Sequence, residues 1–221
     1  MDTLDTSSPR PRRRSQAERS ADTRTRLIEA AIACLNRLGY AATTVTVVAK
    51  EAGVSRGAMT HQFPAKTDLM LAVVRAVFEK DGDHYRRSVD ASSPDGWTRT
   101  LPATMWRVIS QPSGVAVIEI MLATRSDPDL AEKLRLIQQT IDVEAHQWVL
   151  DRHRQAGIAE RPDSEAIHRV FVAAVRGLAL EAVFMRNREE VEKSIAVLTE
   201  ILGHIYAATP VELRGEDLDP K

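Results

Sequence analysis

Several features that define whole classes of protein are scarce in this 221-residue chain. A single cysteine, Cys34, excludes an intrachain disulfide, and its place in an apolar stripe predicts a buried structural thiol. No apolar run approaches the ~20 residues of a membrane-spanning helix, and the Arg-rich N-terminus lacks the apolar segment of a signal peptide. Ten glycines and ten prolines are too few for a fibrous or low-complexity chain. We therefore expect a globular cytoplasmic protein without a membrane partner.

The sequence motifs of common catalytic sites are also missing. There is no glycine-rich phosphate loop, no GxSxG nucleophile turn, and no CxxC or HExxH zinc pattern. His146 and His153 are seven residues apart on one predicted helix, which is too far for them to chelate one metal by themselves. We therefore predict no catalytic residues, no cofactor and no metal site.

The net charge of −1 conceals an uneven distribution along the chain. Residues 1–66 carry 11 Lys and Arg against 6 Asp and Glu, a net charge of +5, and residues 67–221 carry a net charge of −6. A basic first part joined to an acidic remainder indicates that only the first part approaches a polyanion. Basic N-termini also occur on proteins that bind no nucleic acid, so the charge alone does not decide the function.

The most informative stretch runs from Thr43 to Lys66. It reads TTVTVVAKEAGVSRGAMTHQFPAK and contains two short helical segments separated by Gly53-Val54-Ser55. Glycine enters a left-handed turn without a Cβ penalty, and Ser55 is a good N-cap for the second helix. The apolar residues that mark the inner faces of the two helices are Val45, Val48, Ala49, Ala52, Ala58, Met59 and Phe63. This pattern predicts a helix-turn-helix, whose second helix lies in the DNA major groove.

The rest of the chain has helical spacing and no strand-like alternation, so we predict an all-α fold. The first helix should run from Asp22 to Leu38, capped by Asp22 or Thr23 and ended by Gly39. After the helix-turn-helix, a long helix is expected from about Lys66 to Val89. Further helices are expected between residues 94 and 110, between 114 and 125, and over about 128–155, 163–187 and 189–207.

The same patterns suggest four regions. Residues 1–19 form a basic arm without apolar periodicity, which we expect to be disordered. That arm is either a solubilising tail or a minor-groove contact through Arg12, Arg13 and Arg14, and the sequence favours neither. Residues 20–66 are the DNA-binding domain, residues 67–209 a helical effector-binding and dimerisation domain, and residues 210–221 a polar tail.

Three motifs in order resemble the TetR family of bacterial transcriptional regulators. They read LIEAAIACLNRLGYAATTV, VVAKEAGVSRGAMTHQF and PAKTDLMLAVV, and the resemblance covers roughly Thr25 to Val74. It implies a three-helix DNA-binding domain followed by a larger helical domain that binds a small molecule and dimerises. Most members of this family are repressors that their ligand releases from DNA, so the resemblance also implies repression.

Candidate DNA contacts lie on the second helix of the motif and at neighbouring helix ends. Arg56 is preferred for reading a base, because its guanidinium can pair with both acceptors of guanine, and a phosphate contact is the alternative. Thr60 and Gln62 stand where many family members carry aromatic residues. We expect Thr60 to donate a hydrogen bond to DNA, and Gln62 either to reach an adenine edge or to stay structural. The predicted DNA contacts are Tyr40, Thr44, Ser55, Arg56, Gly57, Thr60, His61 and Lys66.

Large apolar side chains and isolated charges in the middle helices predict a pocket for a largely apolar small-molecule effector. For the apolar members, core packing is the alternative. For Glu119 and Arg176, the alternative is a buried ion pair or an interface contact. The predicted ligand-binding residues are Met105, Trp106, Glu119, Met121, Trp148, Phe171, Arg176 and Met185.

A homodimer is expected because one helix-turn-helix reads only a few base pairs, and a palindromic operator matches a two-fold symmetric protein. The last two helices carry apolar stripes that could form a four-helix bundle with a second copy. Core packing within one chain is the alternative for these stripes. The predicted interface consists of Val170, Ala174, Gly177, Leu178, Glu181, Ile195, Leu198, Leu202 and Ile205.

Two other functions compete with a DNA-binding regulator. One is an enzyme, which the missing motifs disfavour. The other is a helical ligand-binding or adaptor protein that has lost specific DNA binding. The unusual residues at positions 60 and 62 leave that second function open, whereas the basic first 66 residues argue against it. A salt-sensitive gel shift on the promoter beside the protein's own gene would separate the regulator from the other two, which should show no specific complex.

Overall fold

The computed structural model describes residues 15–90, 97–159, 161–185 and 188–207, and this part of the chain is helical without any strand. The all-α prediction is therefore confirmed. The helices are α1 (Gln16–Ala42), α2 (Val45–Glu51), α3 (Arg56–Gln62), α4 (Lys66–Asp90), α5 (Trp97–Ile109), α6 (Pro112–Ala123), α7 (Pro128–Gln155), α8 (Ser164–Met185) and α9 (Arg188–Ala207).

Helix α1 begins earlier than the sequence predicted. Its N-cap is Ser15, whose hydroxyl accepts a hydrogen bond from the Glu18 amide at 3.1 Å while the Glu18 carboxylate accepts one from the Ser15 amide at 2.6 Å. The helix therefore does not begin at the predicted cap, residue 22 or 23. The disorder predicted for residues 1–19 is wrong for residues 15–19. The first turns carry no apolar repeat because they extend beyond the core, and burial begins only at Leu27. The remainder of the predicted arm, residues 1–14, lies outside the described residues.

The helix-turn-helix has the predicted form. Thr44 caps α2 by accepting a hydrogen bond from the Val47 amide, and Ser55 caps α3 by accepting one from the Ala58 amide. Gly53 has a φ of 63°, which is the left-handed conformation expected at the turn. The inner-face residues Val48, Ala49, Ala52, Met59 and Phe63 are buried.

The later helices also lie close to their predicted positions. Helix α4 ends one residue beyond the prediction, and α7 starts at the predicted Asp127 cap, which accepts a hydrogen bond from the Leu130 amide at 3.0 Å. Helix α6 begins two residues earlier than predicted, because Pro112 occupies its first position. The predicted polar tail, residues 210–221, is outside the described residues.

The hydrophobic core does not divide at residue 66. One buried cluster joins α1, α2, α3 and α4 to α6 and the first half of α7, and Cys34 is buried inside it as expected. A second cluster is built from α5, the end of α7, α8 and α9. The boundary predicted after residue 66 therefore separates the expected DNA-binding role from the expected effector-binding role. It does not separate two hydrophobic cores. Among the described residues, no helix is long and apolar enough to cross a bilayer.

Candidate nucleic-acid interface and neighbouring cavity

Helix α3 presents one face to solvent. Met59 on its inner face is buried, whereas the predicted contacts Ser55, Arg56, Gly57, Thr60 and His61 are all exposed. Within the part of the chain that the structure describes, the Arg56 guanidinium makes no hydrogen bond and no ion pair. The structure thus places these five residues on the exposed side of α3, with Ser55, Arg56 and Gly57 at its N-terminus as predicted and Thr60 and His61 in its last turn.

The two positions that depart from the family pattern have defined partners in the chain. The Gln62 amide nitrogen donates hydrogen bonds to the Ser20 hydroxyl at 2.7 Å and to the Ser20 carbonyl at 3.3 Å, so it ties α3 to α1. Of the two roles left open for Gln62, the geometry supports the structural one. The Thr60 hydroxyl donates to the Arg56 carbonyl at 3.0 Å, so in this conformation it is left as an acceptor and not as the donor we expected.

Two arginines that the sequence analysis did not single out hold the motif in place. The Arg26 guanidinium donates to the Ala52 carbonyl at 2.5 Å and to the Gly53 carbonyl at 3.4 Å. The guanidinium carbon of Arg24 lies 4.5 Å from the centre of the Phe63 ring, at the end of α3. Both residues belong to the first half of α1, close to the turns where apolar periodicity is missing. No sequence signal indicates which carbonyl or ring such a long side chain will reach.

Tyr40 is the centre of a cluster that joins the DNA-binding helices to the rest of the chain. Its amide donates to a Glu119 carboxylate oxygen at 3.0 Å, and its hydroxyl donates to Asp127 at 3.1 Å. The Lys66 ammonium donates to the Tyr40 carbonyl at 2.6 Å and lies 3.7 Å from the centre of the Tyr40 ring. We refer to Tyr40, Lys66, Glu119 and Asp127 as the junction cluster.

The electrostatics of the junction cluster reflect its partial burial. Desolvation lowers the pKa of Lys66, and the Asp127 charge opposes that shift. Desolvation, followed by the hydrogen bond to Asp127, raises the pKa of Tyr40 to about 12. These placements do not support the DNA contacts expected of Tyr40 and Lys66. Thr44, by contrast, remains exposed at the N-terminus of α2.

A cavity of about 220 Å³ lies among helices α4, α5, α6, α7 and α8. Three of the predicted ligand-binding residues, Met105, Trp148 and Arg176, line it. Most of the wall is apolar, with contributions such as Val77 from α4 and Val117 from α6. The structure therefore places a pocket in the predicted region of the chain.

Four of the other predicted ligand-binding residues, Trp106, Glu119, Met121 and Phe171, do not line this cavity. Trp106 and Phe171 are buried in the second core cluster, and Glu119 belongs to the junction cluster. Met121 lines a separate hollow between α6 and α7. The side chain of Met185 lies outside the described residues. Helical periodicity identifies the inner face of each helix but does not distinguish a core position from a cavity position, which explains these errors.

Polar groups that the sequence analysis missed also line the cavity, among them Gln138, Asp142 and His168. Burial, and then the neighbouring His146, lowers the pKa of His168. Burial also lowers the pKa of Arg176, against an opposing effect of the Asp142 charge. The Gln138 amide donates to Asp142 at 2.7 Å. Among the described residues, no group of three or more His, Cys, Asp or Glu could hold a metal ion.

The predicted dimer residues divide into two sets. Val170, Gly177 and Glu181 on α8 are exposed, whereas Ile195 and Leu202 on α9 are buried in the chain's own second core cluster. The prediction of an interface role is therefore wrong for the two buried residues. Ala174, Leu178, Leu198 and Ile205 are partly buried. Exposed large apolar residues that the prediction missed on these helices are Leu180, Val183, Phe184, Val197 and Ile201.

Comparison with known proteins gives consistent matches. The model of bacterial regulatory proteins of the tetR family matches residues 27–73. The HTH-type transcriptional regulator CymR of Pseudomonas putida is 30% identical over 200 residues, which cover 89% of this chain and 97% of that protein.

Two solved structures share the fold. Salmonella enterica GusR is 24% identical, with a TM-score of 0.65 over 85% of this chain and 96% of its own. A TetR transcription regulator from Haloarcula marismortui is 20% identical, with a TM-score of 0.66 over 83% and 98%. Taken with the exposed helix α3, which we call the reading helix, and the full-length relative, these matches show that the chain belongs to the TetR family of bacterial transcriptional regulators.

Proposed function

We propose that this regulator is a cytoplasmic repressor without enzymatic activity, which binds a palindromic operator as a homodimer and leaves it when a small molecule fills the cavity. The observation that carries the DNA-binding part is the state of Arg56. Arg24 and Arg26 are occupied within the chain, and Arg37 pairs with Glu51 at 2.8 Å. Arg56 is exposed on the reading helix and makes no such contact among the described residues, so it is free for DNA.

The remaining contacts follow from the exposed positions around Arg56. Gly57 has no side chain and lets the helix approach the base edges closely. Ser55 and Thr44 lie at helix N-termini, where hydroxyl and amide groups suit a phosphate. His61 and the acceptor oxygen of Thr60 complete the surface. We assign Tyr40 and Lys66 to the junction cluster, where they position the reading helix without contacting DNA.

A homodimer is supported by the outer faces of α8 and α9. Val170 is 63% exposed and Phe184 is 83% exposed, although both are large apolar residues. Large apolar residues this exposed on neighbouring helices indicate an interaction site, and a second copy is the partner that a two-fold symmetric operator requires. In this arrangement α8 and α9 of the two chains form a four-helix bundle through these outer residues.

Release by a ligand has a direct structural route. Helices α4 and α6 both line the cavity, and both also enter the junction cluster, α4 through Lys66 and α6 through Glu119. A ligand that moves α6 away from α4 therefore acts on Tyr40 and on the reading helix. The ligand shifts the equilibrium only by the difference between its affinities for the DNA-bound and released conformations.

The base-reading role is tested by Arg56→Ala. We expect its preference for operator over random DNA to fall by ~1–3 kcal/mol, because one bidentate base contact is lost. Arg37→Ala is the matched control, since it removes one positive charge from the same domain outside the reading helix. Titrations of both variants against operator and random duplexes at two salt concentrations measure the effect. Equal operator-to-random ratios in wild type and Arg56→Ala would exclude base reading and leave the phosphate contact.

A further inference from the structure

Arg176 is a charged side chain in an apolar setting. It lies on α8 and lines the cavity together with apolar residues such as Met105 and Trp148. Within the described part of the chain, Arg176 forms no ion pair and no hydrogen bond through its side chain. Burial lowers its pKa, which means that its surroundings disfavour the charged form.

The acidic groups near the cavity do not neutralise Arg176. Asp142 acts on Arg176 from a distance, but it is exposed and is hydrogen-bonded to Gln138 at 2.7 Å. Glu144 also lines the cavity and is exposed on α7. The other arginine in the lining, Arg86, is paired with Asp83 along α4. Arg176 is therefore left with an unmatched charge, whereas Arg86 is not.

An anion in the cavity would relieve this imbalance. Arg176 is half-buried, and a charge held partly out of water is costly unless it is paired. A carboxylate matches a guanidinium with two parallel hydrogen bonds. His168 lies beside Arg176 in the lining, and because burial lowers its pKa its imidazole is neutral and adds one hydrogen-bonding group without a second charge. The rest of the wall offers mainly apolar contact. The complementary ligand has one negative end and an apolar body.

We propose that the cavity is a binding site for a small carboxylate with an apolar body, whose carboxylate pairs with Arg176 and whose body packs against Met105 and Trp148. Its volume of about 220 Å³ is below the ~300–1,000 Å³ of pockets for drug-sized ligands, so the ligand is small. Only the claim that this ligand releases the protein from DNA rests on the proposed function. The binding claim stands on the cavity alone.

The test measures binding to the full chain in the absence of DNA, by calorimetry in a non-carboxylate buffer. The probes are octanoate and 4-phenylbutyrate, each with the amide and the amine of the same skeleton. We expect at least one carboxylate to bind tenfold or more tightly than its amide, which corresponds to one charge-assisted pair, and the amines not to bind. Arg176→Gln should abolish the preference for the carboxylate.

Two further variants control this result. Arg169→Gln removes an arginine from the same helix, but that arginine is exposed and paired with Glu165, so the carboxylate preference should be unchanged. Asp142→Asn removes the nearest opposing charge and should tighten carboxylate binding several-fold without affecting the amide. If Arg176→Gln does not fold, as judged by helical content, Arg176→Lys should keep the charge preference with weaker binding. Substitutions at residues 176 and 142 thus move carboxylate affinity in opposite directions.

The inference is overturned if neither carboxylate binds, if an amide binds as tightly as its carboxylate, or if Arg176→Gln keeps the preference. A separate titration of the operator complex with the same probes tests release. Carboxylates that bind through Arg176 but leave DNA affinity unchanged would contradict the proposed release and support the site. Carboxylates that do not bind, together with a neutral or cationic compound that releases the DNA, would contradict the site and support the proposed function.

Discussion

The role of each basic side chain depends on which group it contacts in the folded chain. Arg26 is bonded to the carbonyls of the turn, and Lys66 is bonded to Tyr40, so both hold the structure together. Arg56 and Arg176 have no partner among the described residues, and one faces solvent at the reading helix while the other faces a cavity. These two side chains account for the two ligands we propose, DNA and a carboxylate.

A single glycine fixes the approach of α5 to α6. A Cβ built on Gly114 would overlap the Ile109 carbonyl oxygen and lie 2.7 Å from the Ile109 Cα, and both atoms are backbone. We expect Gly114→Ala to lower the free energy of unfolding by about 1–3 kcal/mol, because the two helix ends must separate to accept the methyl group. Thermal and urea unfolding measure this change.

Gly203→Ala is the control for that prediction. A Cβ at Gly203, within α9, would meet nothing within 4 Å, so alanine should stabilise the helix by roughly 0.5–1 kcal/mol. The steric account fails if the two substitutions change stability by the same amount.

Residue types and spacing predicted well which residues lie on the exposed face of α3, and predicted less well which residues line the cavity. Ser55, Arg56 and Gly57 follow a glycine turn whose geometry is local, so the sequence contains what is needed to place them. Lys66 and Glu119 both bond to Tyr40, which lies 26 residues before Lys66 and 79 residues before Glu119. Such distant pairings leave no periodic signal in one sequence.

At the scale of elements, α4 and α6 connect the cavity to α1, and α1 packs against the reading helix. Both contact the DNA-binding helices through the junction cluster, and both are part of the cavity wall. Most helix boundaries were predictable, because caps such as Asp127 and stops such as Gly157 act within one turn. The start of α1 was not, because its first turns pack on too little apolar surface to leave a pattern.

The junction cluster predicts a separable effect on coupling. Glu119→Ala removes the carboxylate that holds the Tyr40 amide, so movement of α6 should no longer reach the reading helix. With the tightest-binding carboxylate of the series above, we expect the ligand-induced loss of operator affinity to fall from a typical coupling of ~1–3 kcal/mol towards zero. Ligand affinity measured without DNA should stay within about twofold of the wild-type value, a difference of ~0.4 kcal/mol.

Glu132→Ala is the matched control, because Glu132 lies on the exposed face of α7 and pairs with Arg135, away from the junction cluster. This variant should keep the full response to the ligand. A Glu119→Ala protein that is folded and still fully released by the ligand would exclude the junction cluster as the route of coupling.

At the scale of the whole molecule, the sequence indicated an all-α chain with a DNA-reading end, and both are confirmed in outline. It did not indicate that one hydrophobic cluster runs from α1 through α4 into α6 and α7. It also exchanged inner and outer faces on α9, where Ile195 and Leu202 are core and Val197 and Ile201 are exposed. An apolar helix with two apolar faces does not reveal which face meets its own chain.

The exposed faces of α8 and α9 predict a charge-sensitive dimer. Phe184→Glu places a charge on the most exposed large apolar residue of α8, and we expect the protein to become monomeric in light scattering at micromolar concentration. Operator affinity should then fall at least tenfold, because each monomer reads only one half-site.

Val143→Glu is the control for the dimer prediction. Val143 is also a large apolar residue, 69% exposed, but it lies on α7. Its variant should remain dimeric and bind the operator normally. The assignment of the interface to α8 and α9 fails if Phe184→Glu is as dimeric as Val143→Glu.

The central claim is that this chain reads a two-fold symmetric DNA sequence, and selection from a random duplex pool tests it whatever the operator sequence is. We predict enrichment of a palindrome whose half-site centres lie about 34–36 Å apart, or a multiple of a helical turn. The selected site should bind at least ~10³-fold more tightly than random DNA at physiological salt. A bound pool in which no palindromic sequence is enriched over the starting pool would contradict the claim.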